Sequence, residues 1–131
     1  MDSKIILTNM CMLYNSNGMI LVQNRIKNDW PGINFPGGHV EYDESLEESC
    51  IREMKEETGL TINKLMFVGV YEWNILKDKT RHLAILYKSN DFTGTLKSSN
   101  EGEMFWINLN DISKYKQAVD FDKILNMMLA K

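Results

Sequence analysis

Apolar residues gather in five stretches of the chain, at 5–14, 19–23, 65–73, 82–87 and 104–109. Their length and β-branched or aromatic content predict strands. Asn15-Ser16-Asn17-Gly18 separates the first two, and its Asn-Gly pair predicts a tight hairpin turn. A different period appears at 45–58, where Leu46, Cys50 and Met54 recur every four residues. That spacing predicts a helix with one apolar stripe. Ser45 and Glu48 have capping-box spacing at its start, and Gly59 is placed to end it in a left-handed conformation. Residues 111–115 predict a helical turn and 121–129 a terminal helix. The connections are a loop at 25–35, marked by Asn28-Asp29 and Pro31-Gly32, and a turn at Pro36-Gly37-Gly38 leading into an extended piece at 39–41. A polar connection with a Thr93-Gly94 turn is expected over 88–100. The order predicts an α/β fold, a mixed sheet covered by helices on its faces. With no repeat, low-complexity tract or linker in the sequence, residues 1–131 are expected to form one domain.

Composition narrows the function classes. Apolar content of 44% and charged content of 25% are ordinary for a globular protein. A net charge of −3 gives no basic footprint for a nucleic-acid polymer. Small anionic substrates remain open, provided metal ions supply the positive charge. Cys11 and Cys50 are too few for a disulfide scaffold and lie in apolar contexts, so reduced thiols and a cytoplasmic location are expected. The apolar run near the N-terminus is too short and interrupted for a signal peptide or a membrane span. Oligomeric state is left open.

The predicted helix carries the chemistry. Residues 38–60, GHVEYDESLEESCIREMKEETGL, hold eight acids against Arg52 and Lys55. Glu53 and Glu57 are four apart and Glu56 is three beyond Glu53, so the three share one side of the helix. They border the Leu46/Cys50/Met54 stripe, at the edge of the expected core. Partly buried like charges raise one another's pKa unless a cation intervenes. Mg²⁺ takes oxygen ligands and bridges carboxylates to substrate phosphates. The alternative is an ordinary solvated acidic face. Arg52 and Glu44 are placed to orient the cluster through an ion pair, and the Gly37-Gly38 turn lets the backbone approach a metal or phosphate closely.

This stretch resembles the Nudix box, G-x5-E-x7-R-E-U-x-E-E-x-G-U with U aliphatic. Gly38, Glu44, Arg52-Glu53-Met54, Glu56-Glu57 and Gly59-Leu60 meet it without departure at a fixed position. The resemblance implies an α/β/α sandwich with a mixed β-sheet, and Mg²⁺- or Mn²⁺-dependent hydrolysis of a nucleoside diphosphate linked to another group. It implies metal-binding and base roles for Glu53, Glu56 and Glu57, a metal-ligating carbonyl at Gly37, and ion-paired support from Arg52 and Glu44. Many family members place a further acid where Glu101 or Glu103 stands; the alternative for both is an exposed loop charge. The chemistry is consistent on its own terms. Metals neutralise phosphoryl charge and lower the pKa of bound water, and a carboxylate removes a proton.

Within the family, FPGGHVEYDESLEESCIREMKEETGLTI and FTGTLKSSNEGEMFWINL look most like the MutT-type 8-oxo-dGTP diphosphatases. That resemblance implies hydrolysis of an oxidised nucleotide to its monophosphate and pyrophosphate, cleansing the nucleotide pool. ADP-ribose, dinucleoside polyphosphates, dihydropterin triphosphate and dNTPs are the competing substrates, and a nucleotide-binding module without turnover is the competing class. Gly38 and Arg25 are candidates for holding phosphates. Asn34 stands where a related purine triphosphatase reads the base, or is a turn residue beside Pro36. Asp120 either accepts from a guanine edge or caps the last helix. Trp30, Phe35, Tyr71 and Trp73 are stacking candidates or core. His39 and His82 read as structural or surface residues.

Overall fold

A computed structural model of the chain describes residues 4–26, 31–75 and 79–131. Its strands are β1 (Lys4–Leu13), β2 (Ile20–Arg25), β3 (Gly32–Asn34), β4 (Gly37–His39), β5 (Leu60–Ile62), β6 (Met66–Ile75), β7 (Thr80–Ser89), β8 (Phe92–Gly94) and β9 (Gly102–Ile107). Helix α1 spans Leu46–Thr58, a 3-10 turn spans Leu109–Lys114, and α2 spans Phe121–Ala130. The larger sheet has the order β4-β1-β7-β6, with β1 parallel to β7 and the other pairs antiparallel. A second, antiparallel sheet has the order β3-β2-β9, and β5 pairs with β8. The result is the expected mixed β-sheet flanked by helices.

Period-2 alternation assigns each strand face. Cys11 and Leu13 of β1 join Ile85 and Tyr87 of β7 beneath Cys50 and Met54 of α1. Met12, with Ala84 and Leu86, faces the other way onto Phe121, Ile124 and Met128 of α2. Leu46, expected in the α1 stripe, is 39% exposed, whereas Cys50 and Met54 are fully buried. The ends of α1 follow the sequence closely. Ser45 Oγ accepts from Glu48 N–H, the Glu48 carboxylate accepts from Ser45 N–H, and Gly59 closes the helix at φ 80°.

Three expected connections are strands instead. Gly32–Asn34 of the expected loop pairs with β2, and Gly37–His39 pairs with β1 rather than forming a turn. Phe92–Gly94 pairs with β5, so Gly94 does not make a turn with Thr93. Its φ of +110° and the 2.9 Å that a Cβ would leave to Gly59 O explain the glycine as a close approach of two backbones. The partners of Gly37–His39 and Phe92–Gly94 are about 30 residues away, so local turn chemistry does not reveal those pairings. Asn28-Asp29 of the expected loop, and Trp30, lie outside the described residues.

A buried lysine ties β7 to α2. Lys88 at the end of β7 is 8% exposed and donates to the α2 carbonyl of Met128 at 3.0 Å. Lys88→Met keeps much of the volume but removes the donor for that carbonyl. We expect a loss of about 1–3 kcal/mol, measured as a lower Tm in thermal melts.

Candidate functional site

The last turns of α1, the strand β4 and parts of β1, β2 and β7 enclose a cleft of about 490 Å³. Glu53, Glu56, Glu57 and Glu101 line one side of it, beside Gly37 and Gly38. Thr8, Met10, Phe35, Asn34, Gln23, Trp73 and His82 line the rest, with Arg25 at the end of β2.

Packing explains both glycines. A Cβ on Gly38 would stand 2.2 Å from the Glu53 carboxyl carbon, and one on Gly37 would stand 1.9 Å from the Asn9 carbonyl oxygen. Only a glycine pair lets β4 lie against β1 while a carboxylate of α1 rests on it.

Arg52 organises the acids. Its guanidinium donates to Glu44 through Nε at 2.5 Å and through Nη2 at 2.9 Å. The same group reaches Glu53 at 3.0 Å, Glu56 at 3.1 Å and the His39 carbonyl at 3.2 Å. The Arg52 hydrogen bonds hold the Glu44 carboxyl below its usual range, and Arg52 itself is raised, Glu44 first among the causes. Burial pushes Glu53 up despite the opposing Arg52 bonds. Burial also pushes Glu57 up, and the Glu101 carboxylate facing it adds to the rise. Glu57 Oε2 is buried without a hydrogen-bond partner among the described residues.

These features fit a hard divalent cation. Two partly buried carboxyls are disfavoured as anions, and one carboxylate oxygen lacks a donor. Among the described residues no three His, Cys, Asp or Glu side chains close into a preformed metal cage. An open row of carboxylates fits Mg²⁺, which is held through one or two of them together with water and substrate phosphates.

The structure brings Glu53, Glu56, Glu57, Glu101, Gly37, Gly38, Arg25 and Asn34 to one cleft, with Arg52 and Glu44 bonded behind the acids. It does not bring Glu103 there. Glu103 is an exposed strand residue opposite Asn24 and outside the cleft lining, whereas Glu101 sits in the turn before β9 and lines the cleft. Asp120 is also outside the cleft lining. It occupies the N-cap position of α2 at φ 65° without a side-chain capping bond. Its carboxylate instead accepts from Tyr71 O–H at 2.8 Å, with Lys123 Nζ at 3.8 Å. The Asn34 side-chain oxygen accepts from Phe35 N–H at 2.9 Å.

His39 and His82, read as structural or surface residues, both line the cleft. His82 bonds Thr8 Oγ1 at 2.9 Å and packs against the Trp73 ring at 4.9 Å; burial lowers its pKa and favours the neutral ring. Thr8, Asn9 and Gln23 were not expected at the site. Their signal lies in the sequence as polar residues inside apolar strand runs, each less than one-tenth exposed. Gln23 donates to Ser99 Oγ at 3.0 Å, and that oxygen also accepts from Glu101 N–H at 3.2 Å. The pair sets the segment that carries Glu101.

The chain is 31% identical over 124 residues to the Nudix hydrolase YvcI of Bacillus subtilis (strain 168), covering 91% of this chain and 76% of that protein. It is 31% identical over 115 residues to an ADP-ribose pyrophosphatase of Methanocaldococcus jannaschii, covering 86% and 67%. The fold superimposes with a TM-score of 0.83 on the MutT NUDIX hydrolase of Burkholderia pseudomallei, at 19% identity, covering 95% of this chain and 98% of that one. The NUDIX domain model matches residues 6–127, and by that match the chain belongs to the NUDIX family of hydrolases acting on pyrophosphate bonds.

Proposed function

We propose that residues 1–131 form one Mg²⁺-dependent hydrolase, with Mn²⁺ as a substitute, that cleaves the pyrophosphate bond of a nucleoside diphosphate derivative. The observation that carries this reading is the meeting of Glu53, Glu56, Glu57 and Glu101 beside Gly37 and Gly38 in one cleft. The bound cation supplies charge neutralisation for the phosphates and acidifies water. Glu56 and Glu57 are its principal carboxylates, and Glu53 is a further ligand or the general base. Glu101 is the additional carboxylate, and the Gly37 carbonyl a backbone ligand. Arg52, held by Glu44, keeps Glu53 and Glu56 in place. Gly38 and Arg25 hold phosphate oxygens.

The finer reading is 8-oxo-dGTP, hydrolysed to 8-oxo-dGMP and pyrophosphate in the cytoplasm as nucleotide-pool sanitation. It is supported by the match outside the box and by Asn34 and Trp73 in the cleft lining, while the Phe35 ring also stacks on Phe121 in the core at 4.9 Å. The Asn34 oxygen is engaged by Phe35 N–H, so its amide N–H₂ is the group offered to a base. A direct guanine contact from Asp120 is not part of this reading, since Tyr71 holds that carboxylate. Similarity to the ADP-ribose pyrophosphatase over 86% of the chain favours a second reading, in which ADP-ribose is the substrate.

A panel of 8-oxo-dGTP, dGTP, ADP-ribose, diadenosine polyphosphates and dihydropterin triphosphate with Mg²⁺ separates these readings. We expect a higher kcat/KM for 8-oxo-dGTP than for dGTP. Equal values end the oxidised-nucleotide reading, and dominance of ADP-ribose establishes the second. No turnover on any of them transfers the assignment to a nucleotide-binding module.

Glu56→Gln is expected to lower kcat/KM by about 10²–10⁴-fold with the fold intact; near-native turnover would remove Glu56 from the site.

The raised carboxyls make a further prediction. Glu53 and Glu57 hold protons in the folded state at a pH where the unfolded chain has lost them. Their contribution to stability is therefore present at low pH and lost as pH rises through the raised values. Glu57→Gln is expected to raise the Tm in EDTA at neutral pH while abolishing most activity. Saturating Mg²⁺ is expected to raise the wild-type Tm more at neutral than at mildly acidic pH.

A further inference from the structure

Asn9 borders the cleft, Ser49 occupies a position the box leaves unspecified, and neither has a role above. Asn9 is 2% exposed and Ser49 is fully buried. Two polar side chains are retained where β1 otherwise packs apolar residues against α1. Their hydrogen bonds run in one direction. Gly38 N–H donates to Asn9 Oδ1 at 3.2 Å, Asn9 Nδ2 donates to Ser49 Oγ at 3.0 Å, and Ser49 Oγ donates to the His39 carbonyl at 3.3 Å. A flipped Asn9 amide would set its N–H₂ against Gly38 N–H, so the network itself determines the orientation.

The consequence lies in one peptide plane. The Gly37–Gly38 bond is trans, so Gly38 N–H and Gly37 C=O point in opposite directions. Gly38 N–H is held toward β1 by Asn9. The Gly37 carbonyl therefore faces away from β1, on the free edge of the outermost strand β4, and Gly37 lines the cleft. Ser49 lies one helical turn before Glu53 on α1, and Arg52 donates to the same His39 carbonyl as Ser49 does. One chain of bonds thus sets both the carbonyl of Gly37 and the turn of α1 that carries Glu53.

We infer that Asn9 and Ser49 are positioning residues that aim the Gly37 carbonyl and the Glu53 carboxylate at one shared cation. The inference rests on the metal-dependent reading above, and it assigns the two residues a role in metal affinity in addition to packing. Groups that orient metal ligands change affinity when removed, typically by 10- to 100-fold.

Mn²⁺ binding to the intact protein without nucleotide, followed through the EPR signal of the free ion, tests it. Asn9→Ala and Ser49→Ala are each expected to weaken binding by about 10- to 100-fold. The double variant is expected to be little worse than the weaker single variant, because both act through one chain of bonds. A merely structural role would lower the Tm in EDTA and leave Mn²⁺ affinity unchanged, which overturns the inference. A second measurement needs no variant. Mg²⁺ bound to the Gly37 carbonyl polarises its peptide, so the Gly38 amide ¹⁵N resonance of the wild type is expected to shift on Mg²⁺ addition. No shift at saturating Mg²⁺ overturns the inference even if both variants fail to fold. A wild-type protein that binds Mn²⁺ and cleaves a pyrophosphate compound, with both variants matching it, overturns the inference alone. A wild-type protein that does neither overturns the functional reading and the inference together.

Discussion

Carboxylates on successive turns of one helix, partly out of water, form the constraint from which the site is built. Glu53 and Glu57 sit where burial disfavours their charged forms. A guanidinium relieves part of that cost. Arg52 bonds Glu53 and Glu56 at about hydrogen-bond distance and is itself steadied by the bidentate Glu44. Its planar fork suits this arrangement, since a lysine would offer a point charge without several fixed donors. Glu57 receives no such relief from Arg52, and its partnerless oxygen is the part of the wall that asks most strongly for a cation.

The rest of the architecture keeps that wall against a backbone. β4 lies between β1 and α1, and its two glycines let a carboxylate approach closer than any side chain would permit. The second sheet then closes the cleft with Gln23, Arg25, Asn34 and Phe35, while the first contributes Thr8, Trp73 and His82. Part of the cleft lining is acidic and part is aromatic or amide-bearing. That polarity matches a substrate with a charged, metal-neutralised half and a flat heterocyclic half. The ladder from Asp120 through Tyr71 to Trp73 and His82 stiffens the second part, by a hydrogen bond at 2.8 Å and ring contacts at 4.8 and 4.9 Å.

Similarity informs these two parts unequally. The box residues belong to the family and describe the acidic part. Structural likeness to MutT at 19% identity speaks for the fold alone. The residues of the aromatic part come from β1, β3, β6 and β7, outside the box. The box therefore leaves this part of the lining undescribed.

The sequence by itself determined the elements whose signals are local. The capping box of Ser45 and Glu48, the stop at Gly59 and the spacing of Glu53, Glu56 and Glu57 follow from helical geometry within a few residues. The strand stretches follow in the same way from alternation and residue type. Only the tertiary structure decided that Gly37–His39 and Phe92–Gly94 are strands, since their partners are residues 8–10 and 60–62. It put Glu101 in the turn before β9 and Glu103 within that strand, and gave the Asp120 carboxylate to Tyr71 rather than to a side-chain bond capping α2, although Asp120 holds the N-cap position. It also brought Thr8, Asn9 and His82 to the cleft through the parallel pairing of β1 with β7, more than 70 residues away in sequence. The physical reason is the range of the interactions. Caps and helix faces are set by neighbours three or four residues apart, whereas ladders, close backbone approaches and cleft walls exist only once distant segments have met.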